Sequence, residues 1–147
     1  MPILEVDLLY AATDPEDRHN KIAENILRLT QNGVLGNVKV DSLALHELEL
    51  NLKSGNILIN GRKPTYEDMA EFFRDLDKLL KFYEIGIFAL TCGETALSAE
   101  LRRRGRLTFY DSHHAAAALL YDSKIISLDT AYDRVKNLKR LDPYKIK

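Results

Sequence analysis

The 147-residue sequence lacks most of the features that mark specialised protein classes. It has no tryptophan and a single cysteine, Cys92, which excludes an internal disulfide and a cysteine-based zinc cluster. We expect Cys92 to be a small, buried apolar residue in a reducing compartment. Acidic and basic residues nearly cancel, leaving a formal net charge of −1. A nucleic-acid-binding surface would therefore have to be local.

No apolar stretch approaches the length of a membrane-spanning helix, and no basic leader precedes an apolar segment. The apolar and charged fractions, 46% and 29%, are ordinary values for a globular chain. We therefore expect a soluble, cytoplasmic protein that makes no membrane contact. Its length predicts one domain over residues 1–147, large enough to bury a core.

Short apolar segments alternate with amphipathic ones along the chain. Strands are predicted at 3–6, 38–40, 85–90, 125–128 and 138–141. Helices are predicted to begin at 8, 15–17, 41–42, 65, 94, 108 and 130. This alternation predicts an α/β fold, a three-layer α/β/α sandwich with a mainly parallel central sheet. Segment 54–64 is rich in turn residues and is predicted to be an insertion that forms a small hairpin or a lid.

The stretch from residue 108 to residue 129 is predicted to be a helix followed by a buried strand. Ala115 and Ala118 share a helix face with Asp111, so Asp111 is expected to face the protein. The neighbouring His113 and His114 are expected on the helix surface. The preceding helix ends in three arginines, and Gly105 is predicted to be its left-handed cap.

Carboxylates are the main chemical groups in this pattern. The chain has no phosphate-binding glycine loop, no nucleophile elbow and no zinc-binding histidine pair. Acidic residues instead follow strands or begin helices: Asp7, Glu47 or Glu49, Asp111 and Asp129. Taken singly, each is better explained without a function, as a cap residue, a turn residue or part of a solvated helix flank. Helical periodicity does not decide between Glu47 and Glu49.

The positions of these acids in the predicted fold indicate that they act together. Ligand sites in open α/β sheets lie outside the carboxyl ends of the strands, so the acids are expected to converge there. Several carboxylates in one place repel one another unless a cation neutralises them. Oxygen donors suit hard cations such as Mg²⁺ or Mn²⁺.

Four blocks of sequence contain these acids. They are the strand ending in Asp7, the segment 42–48, the segment 108–116 with an acid before a His-Ala-Ala helix, and 127–129 followed by Tyr132. With these blocks the chain resembles PIN-domain proteins, in particular the toxin (VapC-like) branch of that family, over residues 3–143. The resemblance implies that Asp7, Glu47, Asp111 and Asp129 are the catalytic, metal-binding acids. It selects Glu47 over Glu49. Leu8 and Leu9 depart from the family pattern, which usually has a small hydroxylated residue and then Asn or Ser there.

The resemblance implies a ribonuclease that uses one or two Mg²⁺ or Mn²⁺ ions to hydrolyse RNA. Ser127 is expected to orient Asp129 or a metal-bound water. Phosphate contacts are expected from Arg102, Arg103, Arg104 and Arg106. A homodimer is implied, with an antitoxin protein as partner. Two alternatives remain: an RNA-processing nuclease without an antitoxin, and a catalytically silent binding or assembly module, which Leu8 and Leu9 favour.

Overall fold

The computed structural model describes all residues from 1 to 147. Its strands are β1 (Ile3–Leu4), β2 (Lys39–Asp41), β3 (Gly86–Phe88), β4 (Lys124–Ile126) and β5 (Lys139–Leu141). Its helices are α1 (Val6–Thr13), α2 (Asn20–Gln31), α3 (Ser42–Ser54), α4 (Tyr66–Phe82), α5 (Cys92–Arg104) and α6 (Phe109–Tyr121), with 3-10 helices at Thr130–Arg134 and Pro143–Lys145. None of the helices is both long and apolar enough to cross a bilayer.

The central sheet has the strand order β3-β2-β1-β4-β5, and every neighbouring pair is parallel. Successive residues of a strand point to opposite faces, and both faces of this sheet are covered. Ile3 and Ile125 pack against the buried alanines of α6. Leu4 and Ile126 pack into the larger cluster built with α1 to α4. The predicted α/β sandwich with a parallel sheet is confirmed.

The strand order places a crevice between β1 and β4. The chain passes from β1 to β2 and β3 on one side, and then returns to β4 on the other side of β1. Connections therefore leave the carboxyl ends of β1 and β4 in opposite directions. Such a switch point is where open parallel sheets bind ligands.

The first strand is shorter than predicted. The Glu5 N–H still donates to the Ile126 carbonyl, but the Glu5 carbonyl already accepts from the N–H of Leu9 and so begins α1. Glu5 therefore ends the strand, and Asp7 lies in the first turn of α1. The apolar Val6 had suggested two further strand residues, whereas it belongs to the helix.

Helix α2 begins at Asn20, later than the predicted start at 15–17. The reason is local: Asp14 and Asp17 each accept the backbone N–H of the residue two positions on. These bonds hold turns in place of a first helical turn.

Two expectations about α5 are wrong. Gly105 follows α5 with φ −131° and is extended, not left-handed, because the chain runs straight on towards the cap of α6. Cys92 is exposed, not buried. The buried side of α5 carries Glu94 and Ser98, one turn apart, and Cys92 falls away from that side.

Segment 55–64 contains a tight hairpin. Ile59 and Arg62 exchange two backbone hydrogen bonds of 3.0 and 3.2 Å. Asn60 and Gly61 between them have φ values of 52° and 72°. Two positive φ values are what a hairpin loop of two residues requires, and an Asn-Gly pair adopts them readily.

Candidate active site

Carboxylates from four separate segments come together at the carboxyl edge of the sheet. They lie in the first turn of α1, in α3, in the first turn of α6 and after β4: Asp7, Glu47, Asp111 and Asp129. The surrounding protein and then the charges of the other three acids raise the pKa of Asp7, although its side chain remains exposed. The four sequence-predicted acids therefore share one electrostatic environment.

A fifth acid, Glu5, was missed by the sequence analysis. Its side chain is buried at the end of β1, and Oε2 accepts a 3.2 Å hydrogen bond from the Ser127 hydroxyl. Burial, and then the charge of Asp7, raise the pKa of Glu5 to about 8. One sequence signal was available, because Glu5 is the only charged residue within the apolar run 3–6.

Ser127 connects two parts of this acidic cluster. Its hydroxyl donates to Glu5 and accepts the backbone N–H of Asp129 at 2.9 Å. The Asp129 carboxylate itself accepts the N–H of Ala131 at 2.8 Å and so caps the first 3-10 helix. Ser127 thus contacts Asp129 through the backbone and does not touch its carboxylate.

Tyr132 brings a buried hydroxyl to the acids. Its O–H donates to Asp111 Oδ1 over 3.4 Å. Burial, followed by the charges of Glu5 and Asp111, raises the pKa of Tyr132. The phenol therefore remains a hydrogen-bond donor. No role for Tyr132 was predicted from the sequence.

The structure corrects the expectation that His113 and His114 lie on the surface, since they are 2% and 1% exposed. His114 Nδ1 lies 2.9 Å from Asp41 Oδ2, and its Nε2 lies 2.8 Å from Glu47 Oε2. Both partners are acceptors, so both ring nitrogens donate and the ring is positively charged. Burial alone would lower the pKa of His114, but the two hydrogen bonds and the negative charges raise it to about 10.

His113 makes a second buried pair that does not touch the acidic cluster. Its Nδ1 lies 3.0 Å from Glu94 Oε1, and its Nε2 lies 3.2 Å from the Ser98 hydroxyl. Burial raises the pKa of Glu94 to about 7 and lowers that of His113. The order Ser-His-Glu resembles a nucleophilic triad, but Ser98 is fully buried and bonded to a backbone carbonyl. No substrate reaches it.

Neighbouring residues on the same elements face elsewhere. Glu49 is exposed two residues beyond Glu47 and takes no part in the His114 contact. Leu8 and Leu9 are core residues of α1. They fill the interior and do not replace polar groups at the crevice.

The donor set suits a hard divalent cation. The donor groups at the crevice are oxygens, most of them carboxylates. The only cysteine lies apart on α5, and both buried histidines are already bonded to acids. This chemistry favours Mg²⁺ or Mn²⁺ over zinc. No three His, Cys, Asp or Glu side chains stand ready to chelate one ion. Mg²⁺ keeps several waters and needs few carboxylates, so the residues present fit such an ion.

The predicted phosphate-binding arginines lie in three different places. The Arg102 guanidinium lies 5.0 Å from the centre of the Phe109 ring. Arg104 and Arg106 line a cavity of about 500 Å³, together with Arg134 and Lys136. Arg103 is exposed at the end of α5. Ala131 also lines this cavity and donates its N–H to Asp129, so the basic cavity adjoins the acids.

Comparison with known families identifies the family of the chain. The PIN domain family matches residues 6–138, and the chain belongs to that family. PIN domains are generally metal-dependent nucleases. The resemblance inferred from the sequence is thereby confirmed.

Three solved structures have the same fold across almost their whole length. FitAcB from Neisseria gonorrhoeae has a TM-score of 0.66 and 18% identity, covering 99% of this chain and 100% of its own. VapBC2 from Rickettsia felis, bound to a DNA fragment from its promoter, has a TM-score of 0.65 and 16% identity, covering 95% and 96%. A toxin–antitoxin complex from Klebsiella pneumoniae has a TM-score of 0.65 and 14% identity, covering 99% and 100%. Among curated proteins, no sequence matches the chain.

Proposed function

We propose that this chain is a divalent-metal-dependent endoribonuclease that hydrolyses RNA phosphodiester bonds, and that it is the toxin of a type II toxin–antitoxin pair. The observation that carries the proposal is the gathering of acids from four segments at the switch point: burial, and then the charges of Glu47, Asp111 and Asp129, raise the pKa of Asp7. Carboxylates gathered in this way are stabilised by a bound cation.

Asp7, Glu47, Asp111 and Asp129 would hold one or two Mg²⁺ or Mn²⁺ ions. A bound ion supplies a water of lowered pKa and offsets the charge on the phosphate oxygens. The Tyr132 hydroxyl would orient one of these acids, Asp111, through its hydrogen bond.

Glu5 extends this set of acids and accounts for the departure from the family pattern. If Glu5 at the end of β1 is the first acid, Val6 takes the position of the small hydroxylated residue. Asp7 then takes the position where the family usually has Asn or Ser. A polar group thus follows the first acid after all. Leu8 and Leu9, as core residues, no longer favour a silent domain.

We assign the RNA backbone to the basic cavity beside Asp129. Arg104, Arg106, Arg134 and Lys136 surround it, and they carry positive charge in a chain whose net charge is only −1. Phosphate groups bind such clusters without sequence preference. Arg102 and Arg103 would extend this surface along the end of α5.

Cleavage of a labelled RNA by the Asp111→Asn variant tests the mechanism. The substitution keeps the size of the side chain and removes the charge, so we expect a folded protein without cleavage activity. Glu49→Gln is the matched control, because it removes an exposed acid from the same helix as Glu47 without touching the acidic cluster. Wild-type cleavage by Asp111→Asn at saturating Mn²⁺ would refute the assignment.

A second set of measurements separates the toxin from the two alternatives. A toxin requires a partner encoded beside it that binds the protein and blocks cleavage. An RNA-processing nuclease cleaves RNA but has no such inhibitor. A silent module gains no thermal stability from Mg²⁺ or Mn²⁺, since only an ion that binds the native state raises Tm. The absence of a ready three-ligand group is the observation that favours this last alternative.

We extend the proposal to the partner, the oligomeric state and the cellular location of the protein. The three solved structures with this fold include a toxin–antitoxin complex, and this supports an antitoxin partner. We propose a cytoplasmic homodimer. Light scattering of the purified protein, alone and with its antitoxin, tests the dimer.

A further inference from the structure

We propose that His114 is a positioning residue for the active site: clamped by Asp41 on Nδ1, it fixes the Glu47 carboxylate through Nε2 in the orientation that receives the metal ion. This inference rests on the proposed function. It concerns three side chains, from the end of β2, from α3 and from α6, that meet behind the acidic crevice.

The position of Asp41 indicates that this contact is specific. Asp41 occupies the N-cap position of α3, where an aspartate normally accepts a backbone N–H of the first helical turn. Here the side chain makes no cap bond, and Oδ2 accepts from His114. Asp41 is fully buried, and its Oδ1 has no partner at all. A buried carboxylate that gives up its cap is stabilised chiefly by the charged ring it holds.

The contact with Glu47 links this buried pair to the crevice. The Glu47 side chain is 19% exposed, whereas the His114 side chain is 1% exposed. A long, partly exposed glutamate samples several rotamers unless a neighbour fixes it. The ring N–H bonds Oε2 at 2.8 Å and leaves Oε1 as the free ligand atom. Loss of such a supporting hydrogen bond typically weakens metal binding by about 10- to 100-fold.

The chain provides its own control for a purely structural role. His113 precedes His114 on α6, is equally buried and is also bonded to a buried acid, Glu94. It makes no hydrogen bond to Glu47. Replacing either histidine by glutamine removes one buried imidazole from the same turn of the same helix. Only one of the two replacements removes a hydrogen bond to the crevice.

Calorimetric titration of the full-length protein with Mn²⁺ tests the proposal. We expect His114→Gln to weaken Mn²⁺ binding by about 10- to 100-fold. His113→Gln is expected to bind as the wild type does. Equal affinities of wild type and His114→Gln, or equal losses in both histidine variants, would overturn the positioning role. If the wild type itself binds no Mn²⁺, the proposed function fails together with it.

A double-mutant cycle shows whether His114 acts through Glu47. In a Glu47→Gln background, His114→Gln should cause no further loss of Mn²⁺ affinity, because the carboxylate that it positions is already gone. A general defect in the core would instead add to the loss. Additive losses would therefore contradict the proposal.

If a histidine variant does not fold, two variants that should disturb the core less can be tested in the same way. Asp41→Asn keeps the shape of the clamp and removes its charge, so Mn²⁺ binding should weaken although Asp41 does not touch Glu47. Ser98→Ala removes one of the two partners of His113 and should leave Mn²⁺ affinity unchanged. Unchanged affinity in Asp41→Asn would overturn the clamp.

Discussion

The Ser127 hydroxyl donates to the buried Glu5 carboxyl over 3.2 Å and joins the carboxyl ends of β1 and β4. The two residues are 122 positions apart, and the bond lies at the point where the connections diverge. A carboxyl group buried there without an ion-pair partner is destabilised when it ionises.

Without added metal, we expect the stability of the protein to fall as pH rises from about 4.5 to about 8. Folding raises the pKa of Glu5 from 4.5 to about 8, so the folded state retains a proton that the unfolded state loses in this range. Glu5→Gln should flatten this dependence and stabilise the protein at the upper end. Urea unfolding at several pH values measures it, with Glu49→Gln as control. An identical pH profile for wild type and Glu5→Gln would contradict the assigned pKa.

Metal binding should become stronger as pH rises through the same range. A proton on Glu5 or Asp7 competes with the cation for the same oxygens, so binding releases protons. We expect the rise in Tm caused by Mn²⁺ to be larger near pH 8 than near pH 6. Differential scanning fluorimetry at matched ionic strength measures the shift. A shift independent of pH would argue against binding at these carboxyls.

Tyr132→Phe should impair cleavage more than stability. The bond to Asp111 is long, at 3.4 Å, so removing the hydroxyl should cost no more than about 1 kcal/mol of unfolding free energy. Asp111 then loses the donor that orients it, and kcat/KM should fall by roughly 10-fold. Cleavage kinetics and urea unfolding of the same preparation separate the two effects. Equal cleavage by both proteins would remove Tyr132 from the site.

Charge removal in the basic cavity should weaken RNA binding in a salt-dependent manner. For single-stranded RNA, removing one arginine that neutralises a phosphate should reduce the slope of log K against log salt by about 0.7. We expect this for Arg104→Ala and Arg106→Ala, measured by fluorescence anisotropy with a catalytically inactive protein. Arg74→Ala, at an exposed position of α4, is the matched control. An unchanged slope in both cavity variants would place RNA elsewhere.

Some positions in the site depend only on which end of a strand or helix a residue occupies, and these were predictable from the sequence. Asp111 and Asp129 begin or follow elements whose type was readable from apolar periodicity, and parallel strands bring such positions to one edge. The element that carries Asp7 was predicted only approximately, because Val6 before it suits both a strand and a helix. The hydrogen bond from Leu9 to Glu5 decides between them.

The buried ionic contacts were not predictable in the same way. His114 meets partners 73 and 67 positions earlier in the chain, and no local pattern encodes such distances. A histidine after an acid in a first helical turn is ordinarily a surface residue. Its burial depends on hydrogen bonds to two acids on other elements. Helical periodicity within one element cannot show which distant residues will lie beside it. The same holds for Glu94 beneath His113.

Helix α6 carries Asp111 and His114 in its first half, and the four alanines that come next in the same helix, at positions 115 to 118, are 0% exposed. Side chains this small let the helix lie close to the sheet. The distance between the helix and the sheet then determines where the Asp111 carboxylate and the His114 ring lie in the site. One extra methyl group on this face would move the whole helix outward. Substitutions far from any reacting atom would then reduce catalysis while the protein remains folded.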